Sequence, residues 1–117
     1  MNLFICYPRC TTCRKAQHWL DAHGIGYTFR DIRQERPSKT ELREWAARSG
    51  LPLKRFFNTS GQTYRTLGLA VKLAATNEDG QFSLLASDGM LVKRPLLITE
   101  HAVLVGFDET VWAAALL

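Results

Sequence analysis

The sequence lacks the features that mark most secreted, membrane and nucleic-acid-binding proteins. Its three cysteines cannot all pair, which excludes a small scaffold held by disulfides. No apolar run approaches the ~20 residues that span a bilayer, and the start of the chain does not resemble a signal peptide. No block of five like charges occurs, and a net charge of +4 is ordinary for a solvated surface. We therefore expect a protein of the cytoplasm, where thiols stay reduced, without direct binding to membrane or nucleic acid.

What the sequence does contain is enough apolar material for one hydrophobic core. Hydrophobic residues make up 46% and charged residues 22% of its 117 residues, values typical of a globular domain. That length suits one domain, and no internal repeat, linker or low-complexity segment divides it. We predict a single domain over 1–117 and a monomer.

The first third of the chain has the pattern of a strand, a helix and a second strand. An apolar run ends at Cys6, and the helix that follows has one apolar face, formed by Ala16, Trp19, Leu20 and His23. Residues 27–32 then alternate between apolar and polar, as a strand does. A strand–helix–strand unit of this length implies two parallel strands joined by a right-handed crossover.

The remaining residues predict a helical insertion, a hairpin and a last helix. The insertion covers about 38–89 and begins at Ser38 and Glu41, which have the spacing of a capping box. Residues 96–99 and 102–105 form the hairpin, and Asp108 is a plausible N-cap for the last helix. The order βαβ, helices, ββα predicts an α/β fold: a mixed sheet with helices on both faces, as in thioredoxin, enlarged by a helical insertion between the second and third strands.

Two thiols, Cys10 and Cys13, lie at the junction between the first strand and the first helix. The free N–H groups and the positive end of the helix dipole stabilise an anion there, and the available anion is a thiolate. Cys10 is nearer the helix start and is the predicted nucleophile. Cys13 lies one turn further on and can attack a mixed disulfide on Cys10. Two inert core cysteines are the alternative.

A metal site would need more ligands than one pair of cysteines supplies. Cys6, His18 and His23 are the nearby candidates, but the histidines lie too far along the helix to turn back to its start. The spacing of the three cysteines also matches that of radical S-adenosylmethionine enzymes, which need a much larger barrel than 117 residues can build. We predict no metal, and we interpret Cys6 as the buried end of the first strand.

A second group of candidate residues precedes the third strand. Pro95 cannot donate to a strand ladder and fits a bend, with a cis bond as one option. The predicted topology brings Arg94 near Cys10, where a guanidinium stabilises a thiolate and can hold an oxyanion; a surface arginine before a rigid turn is the alternative. We add Arg9, Arg14 and Pro95 as candidate residues for binding a substrate or oxyanion.

Together, these segments resemble the Spx/arsenate-reductase-like (ArsC) family of thioredoxin-fold proteins. Residues 10–16, 58–69 and 93–95 carry the resemblance, which covers nearly the whole chain and preserves the spacing between segments. It implies a cytoplasmic bacterial protein with an N-terminal redox cysteine, a cis-proline at Pro95, and Arg94 facing the cysteine loop.

Three activities occur in that family. We expect the first, thiol–disulfide exchange without a bound cofactor, with electrons from glutathione, glutaredoxin or thioredoxin. The second is that of Spx-like redox-sensing regulators, which carry the paired cysteines and bind the α-subunit of RNA polymerase. The third is glutaredoxin-coupled arsenate reduction, in which three arginines surround the oxyanion. Arg94 matches one of those arginines, whereas Asn58 and Gly106 stand at the other two positions, and such enzymes typically lack a cysteine at the position of Cys13.

Overall fold

A four-stranded mixed sheet lies at the centre of the fold in the computed structural model, which describes residues 2–117. Its strands are β1 (Leu3–Cys6), β2 (Thr28–Asp31), β3 (Leu96–Ile98) and β4 (Val103–Val105). Their order is β2-β1-β3-β4, with β2 parallel to β1 and the other pairs antiparallel. The predicted mixed sheet, its parallel first pair and the helical insertion between the second and third strands are confirmed.

Six helices surround the sheet. Three of them begin at side-chain caps that satisfy free N–H groups of the first turn: Ser38 and Glu41 form a complete capping box, Asn77 accepts from the Gly80 N–H, and Asp108 accepts from two N–H groups. The helices are α1 (Thr11–Ala22), α2 (Lys39–Ser49), α3 (Gln62–Thr66), α4 (Leu69–Lys72), α5 (Glu78–Ser87) and α6 (Glu109–Leu116). Short 3-10 segments cover Leu53–Phe56, Leu73–Ala75 and Gly89–Leu91.

Alternate strand residues face opposite sides of the sheet and build two separate cores. Phe4 and Cys6 of β1 pack with buried residues of α1 and α6, on what we call the thiol face. Ile5, between them, packs with α2, α5 and the other insertion segments, on what we call the insertion face. The strands follow the same alternation in β3, where Leu97 joins the thiol face and its two neighbours join the insertion face.

The predicted hairpin is longer than the observed one. Residue Thr99, which the prediction placed in a strand, instead forms the turn: its hydroxyl accepts from the N–H groups of His101 and Ala102. β4 therefore begins at Val103. His23, predicted on the apolar face of α1, is exposed just beyond the helix end, where its ring stacks on Trp19. Of the helices in residues 2–117, none is long and apolar enough to cross a bilayer.

Candidate thiol redox site

The loop between β1 and α1 places Cys10 directly before the first turn of the helix. The Cys10 N–H donates to the Tyr7 carbonyl at 2.9 Å, and the Cys10 carbonyl accepts from the Arg14 N–H at 3.1 Å. Its side chain makes no capping hydrogen bond and is partly exposed. The Cys10 sulfur therefore lies at the positive end of the helix and within reach of solvent.

Cys13 lies one turn further along α1 and is buried, with 1% of its surface exposed. Its side chain packs in the same buried core as that of Cys6, the Cys10 side chain packs against that core, and all three cysteines are free thiols. The contact with Cys6, followed by burial, raises the pKa of the Cys13 thiol far above the ordinary range, because two buried thiols in contact cannot both ionise easily. Cys13 is therefore a protonated thiol in the reduced protein at neutral pH.

Arg94 and Pro95 lie at the base of the cysteine loop. Ile5 pairs with Leu96, so Pro95 borders the end of β1, and the Arg94–Pro95 bond is cis. Arg94 Nη1 donates to the carbonyls of Met90 and Val92, both at 3.3 Å. Its guanidinium carbon lies 5.7 Å from the centroid of the Tyr7 ring. Tyr7 thus holds Arg94 against the loop that leads to Cys10.

Arg9 and Arg14 are both exposed beside the cysteines but face different surface grooves. Arg9 lines a groove with Tyr7 and Asp31, whereas Arg14 lines one between α1 and Phe107. Neither arginine side chain has a hydrogen bond or ion pair to any of residues 2–117. The Arg94 Nε and Nη2 atoms likewise lack a hydrogen-bond acceptor within that range. The guanidinium groups of Arg9 and Arg14 therefore form no ion pair within residues 2–117, although an acidic side chain, Asp31 or Glu109, lines each groove.

Two positions that the family resemblance singled out lie close to this site and carry no charge. The Asn58 N–H donates to the Leu91 carbonyl at 2.8 Å, next to the bridge between Phe57 and Val92. Gly106 has a φ of +74°, a region that residues other than glycine rarely adopt, and its N–H donates to the Pro95 carbonyl at 2.8 Å. An arginine at position 106 would need a different backbone.

In the range 2–117, no group of three or more histidine, cysteine, aspartate or glutamate side chains is arranged to hold a metal ion. Cys6 and Cys13 share one buried core and Cys10 packs against it, an arrangement suited to exchange of disulfide bonds.

Two features of the site were not predicted from the sequence. One is the contact between Cys6 and Cys13, for which a signal existed: Cys6 has the same strand parity as Phe4, and Cys13 is one turn before Ala16 on the apolar face of α1, so both point into one core. The other is the stacking of Tyr7 on Arg94, which depends on the path of the loop and has no sequence signal.

Comparisons with known proteins agree on one family. The model of the ArsC family matches residues 6–115. The uncharacterised protein YusI of Bacillus subtilis is 53% identical over 91% of this chain and 90% of its own length. The regulatory protein MgsR of the same bacterium is 31% identical, over 90% and 82%. The global transcriptional regulator Spx of Listeria monocytogenes is 32% identical, over 87% and 76%.

Solved structures give the same result. An ArsC-family-related protein from Bacteroides fragilis superposes with a TM-score of 0.94 at 50% identity, over 97% of this chain and 95% of that one. A possible arsenate reductase from Streptococcus mutans superposes with a TM-score of 0.85 at 48% identity, over 92% and 91%. The arsenate reductase of Vibrio cholerae, at 20% identity and a TM-score of 0.79 over 87% and 86%, shares the fold.

Proposed function

This chain belongs to the ArsC family, and we propose that it is a thiol–disulfide redox protein acting through Cys10 and Cys13. One observation carries the proposal. A partly exposed thiol at a helix N-terminus packs against the core that holds a buried thiol one turn away. This geometry gives the two cysteines different roles, because only Cys10 can reach a partner in solution.

The reaction consists of two exchanges. The Cys10 thiolate attacks one sulfur of a client disulfide, forms a mixed disulfide and releases the first client thiolate. Cys13 then gives up its proton and attacks the Cys10 sulfur, which releases the second client thiolate and leaves a disulfide between Cys10 and Cys13. The client gains two electrons, and the protein loses two. A cellular thiol, such as glutathione, glutaredoxin or thioredoxin, returns them.

The unpaired cations give the site a preference for anions. The helix N-terminus and the exposed guanidinium groups of Arg9 and Arg14 attract an anionic reaction partner to the surface around Cys10. We assign Arg94 the role of holding a thiolate or a bound oxyanion through Nε and Nη2, since Nη1 already donates to two carbonyls. Pro95 closes the base of the site beside β1.

A second candidate function is that of a redox-sensing regulator that binds the α-subunit of RNA polymerase. The observation that favours it is the identity of 31–32% to MgsR and Spx over most of the chain. Oxidation of Cys10 and Cys13 would then change a partner surface. A pull-down with the C-terminal domain of the α-subunit tests this function, and no association in either redox state would exclude it.

Arsenate reduction is the third candidate, favoured by the structural match to the Streptococcus mutans protein. Arg94 alone would balance the charge of the oxyanion, because Asn58 and Gly106 stand where the family's reductases have arginine. An assay coupled to glutathione and glutaredoxin, with arsenate as substrate, decides this case.

Trapping with a Cys13→Ser variant tests the main proposal. Without the resolving thiol, the second exchange stops and the client stays attached to Cys10. We expect adducts that dithiothreitol releases, identified by mass spectrometry, from cells that express C13S. The double variant C10S/C13S is the matched control. Equal adducts from the two variants would overturn the proposal.

A further inference from the structure

The described reaction leaves one buried thiol of the site unused. Cys6 ends β1 and has 1% of its surface exposed, as does Cys13. Both side chains pack in the core of the thiol face, among Phe4, Ala16, Leu20 and Leu97. A single apolar cysteine in that position would need no explanation, but Cys6 shares this buried core with the proposed resolving thiol of Cys13.

Cys13 is the central member of a chain of three thiols. Its side chain packs with that of Cys6 in the core of the thiol face, and the partly exposed side chain of Cys10 packs against the same core. Thiols already in contact are the pairs that can be bridged without large backbone movement. Cys13 therefore has two neighbours with which it could form a disulfide, one accessible and one protected.

We propose that Cys6 is a third redox thiol, which attacks Cys13 in the oxidised protein and moves the disulfide from the surface into the core. This inference rests on the proposed function, since it begins from the disulfide between Cys10 and Cys13. The Cys6 sulfur forms a bond to the Cys13 sulfur, the bond between Cys13 and Cys10 breaks, and the proton of Cys6 passes to the departing Cys10 thiolate. No electrons enter or leave, so the step needs no further oxidant or reductant.

The positions of the three cysteines favour attack of the Cys6 thiol on the sulfur of Cys13 rather than on that of Cys10. Cys10 is the more suitable leaving group, because its thiolate departs towards solvent, whereas a thiolate on Cys13 would stay buried. Attack at Cys13 joins two sulfurs that are both buried in apolar surroundings, where a disulfide has no charge to desolvate. Attack at Cys10 would instead bring the Cys6 sulfur out of the core.

The consequence is a protein that stores oxidation internally and regenerates its exposed thiol. After the transfer, Cys10 is free to react again, while the disulfide between Cys6 and Cys13 is shielded from thiol reductants in solution. The oxidised state would then outlast the exposure to oxidant.

Tryptic mapping of the oxidised protein tests the inference directly. Cleavage after Arg9 and Arg14 leaves Cys6 in one peptide and both Cys10 and Cys13 in the next, 10–14. Reduced protein is treated with one equivalent of oxidised glutathione, quenched in acid, unfolded and alkylated with N-ethylmaleimide before digestion. Fragmentation between Thr11 and Thr12 then assigns the label to Cys10 or Cys13.

We expect a linked pair of peptides in which Cys10 carries the label, and loss of that pair in a C6A variant, which should contain only the disulfide within peptide 10–14. An internal disulfide alone in the wild-type protein, with the label on Cys6, would overturn the role of Cys6 and leave the proposed function intact. No disulfide at all would overturn both.

Discussion

Charged side chains form ion pairs on the insertion face of the sheet, whereas two arginines beside the thiol face form none. On the insertion face, Arg30 and Glu41 form two hydrogen bonds at 2.7 and 2.9 Å. Asp79 there binds both Lys39 and Arg43. Beside the thiol face, Arg9 and Arg14 have no acidic partner among residues 2–117.

The paired side chains stabilise the fold, whereas the unpaired arginines are available for interactions with a reaction partner. The ion pairs of the insertion face join helices to the sheet and to one another, since Arg30 lies on β2 and Glu41 on α2. The unpaired cations next to Cys10 contribute little to holding the fold together and remain available to an anion. We therefore expect substitutions on the insertion face to change the free energy of unfolding. Substitutions around Cys10 should instead change the rate at which Cys10 reacts.

The largest expected effect is that of Gly89→Ala on the insertion side. A Cβ at Gly89 would lie 1.9 Å from the Ile32 carbonyl oxygen, so the backbone of one segment has to move. We expect the free energy of unfolding to fall by about 3 kcal/mol, measured by urea denaturation.

Gly26→Ala is the matched control for that substitution. A Cβ there meets nothing within 4 Å, and the loss of backbone freedom in the unfolded chain should leave stability within about 1 kcal/mol of wild type. Equal stabilities for the G89A and G26A variants would contradict the close contact between the insertion and the end of β2.

A Glu41→Gln substitution tests the ion pair of the insertion face. Its hydrogen bonds to Arg30 lower the pKa of Glu41 from 4.5 to about 2. A carboxyl with a lowered folded-state pKa contributes stability above pH 4.5 that is lost as the pH falls from 4.5 towards 2. The side chain is 34% exposed, so solvent screening reduces the effect to about 1–2 kcal/mol at pH 7.

The pH dependence distinguishes the ion pair from a general effect of losing charge. The stability difference between wild type and E41Q should narrow as the pH falls to about 2. Glu44→Gln, on the exposed side of the same helix, should differ little from wild type at any pH. A constant difference for E41Q across this range would show that the pair does not stabilise the fold.

Local signals explain why much of the fold was predictable and parts of the site were not. Ser38 and Asp108 cap helices through contacts within three residues, so their roles can be read from neighbouring residues. The stacking of Tyr7 on Arg94 joins residues far apart in sequence, and it depends on how the loop turns after β1. The close approach of Gly89 to Ile32 likewise joins residues far apart in sequence, so neighbouring residues do not predict it.

The place of Cys6 in the structure could be predicted from the sequence only in part. Its burial followed from the apolar run, but its contact with Cys13 also requires the rotation of α1 about its own axis. Two periodicities, of strand and helix, had to be combined to place both thiols in one core.

An alkaline titration tests the buried thiols of the thiol face. Because the folded state raises the pKa of Cys13, that thiol stabilises the fold fully below its ordinary value of 9.0 and loses this contribution as the pH rises further. We expect wild-type stability to fall by about 1 kcal/mol more between pH 9 and pH 10 than that of a Cys13→Ala variant, under reducing conditions.

A Cys6→Ala variant separates the two main causes of the raised Cys13 pKa, which are the neighbouring Cys6 thiol and burial. Without the Cys6 thiol, burial still raises the pKa of Cys13 while the Tyr7 backbone and Cys10 lower it, so the alkaline fall should lie between those of wild type and C13A. If wild type and C13A lose stability in parallel above pH 9, the folded state does not raise the pKa of Cys13.

The smallest expected effect concerns the unpaired cations beside Cys10. The reaction of Cys10 with an anionic aromatic disulfide should slow roughly tenfold as ionic strength rises from about 0.01 to about 1 M, because the screening length falls from about 30 to about 3 Å. A neutral disulfide should show little change. In an R9A/R14A variant, the anionic reagent should react more slowly at low salt and lose most of its salt dependence.

Arg43→Ala is the control from the opposite face, where the guanidinium already binds Asp79. It should leave the rate at Cys10 and its salt dependence unchanged, although it also removes a positive charge from the protein. If R43A and R9A/R14A slowed the anionic reagent in proportion to the number of charges removed, net charge rather than local placement would govern Cys10. The contrast between paired and unpaired cations would then have no bearing on the reaction.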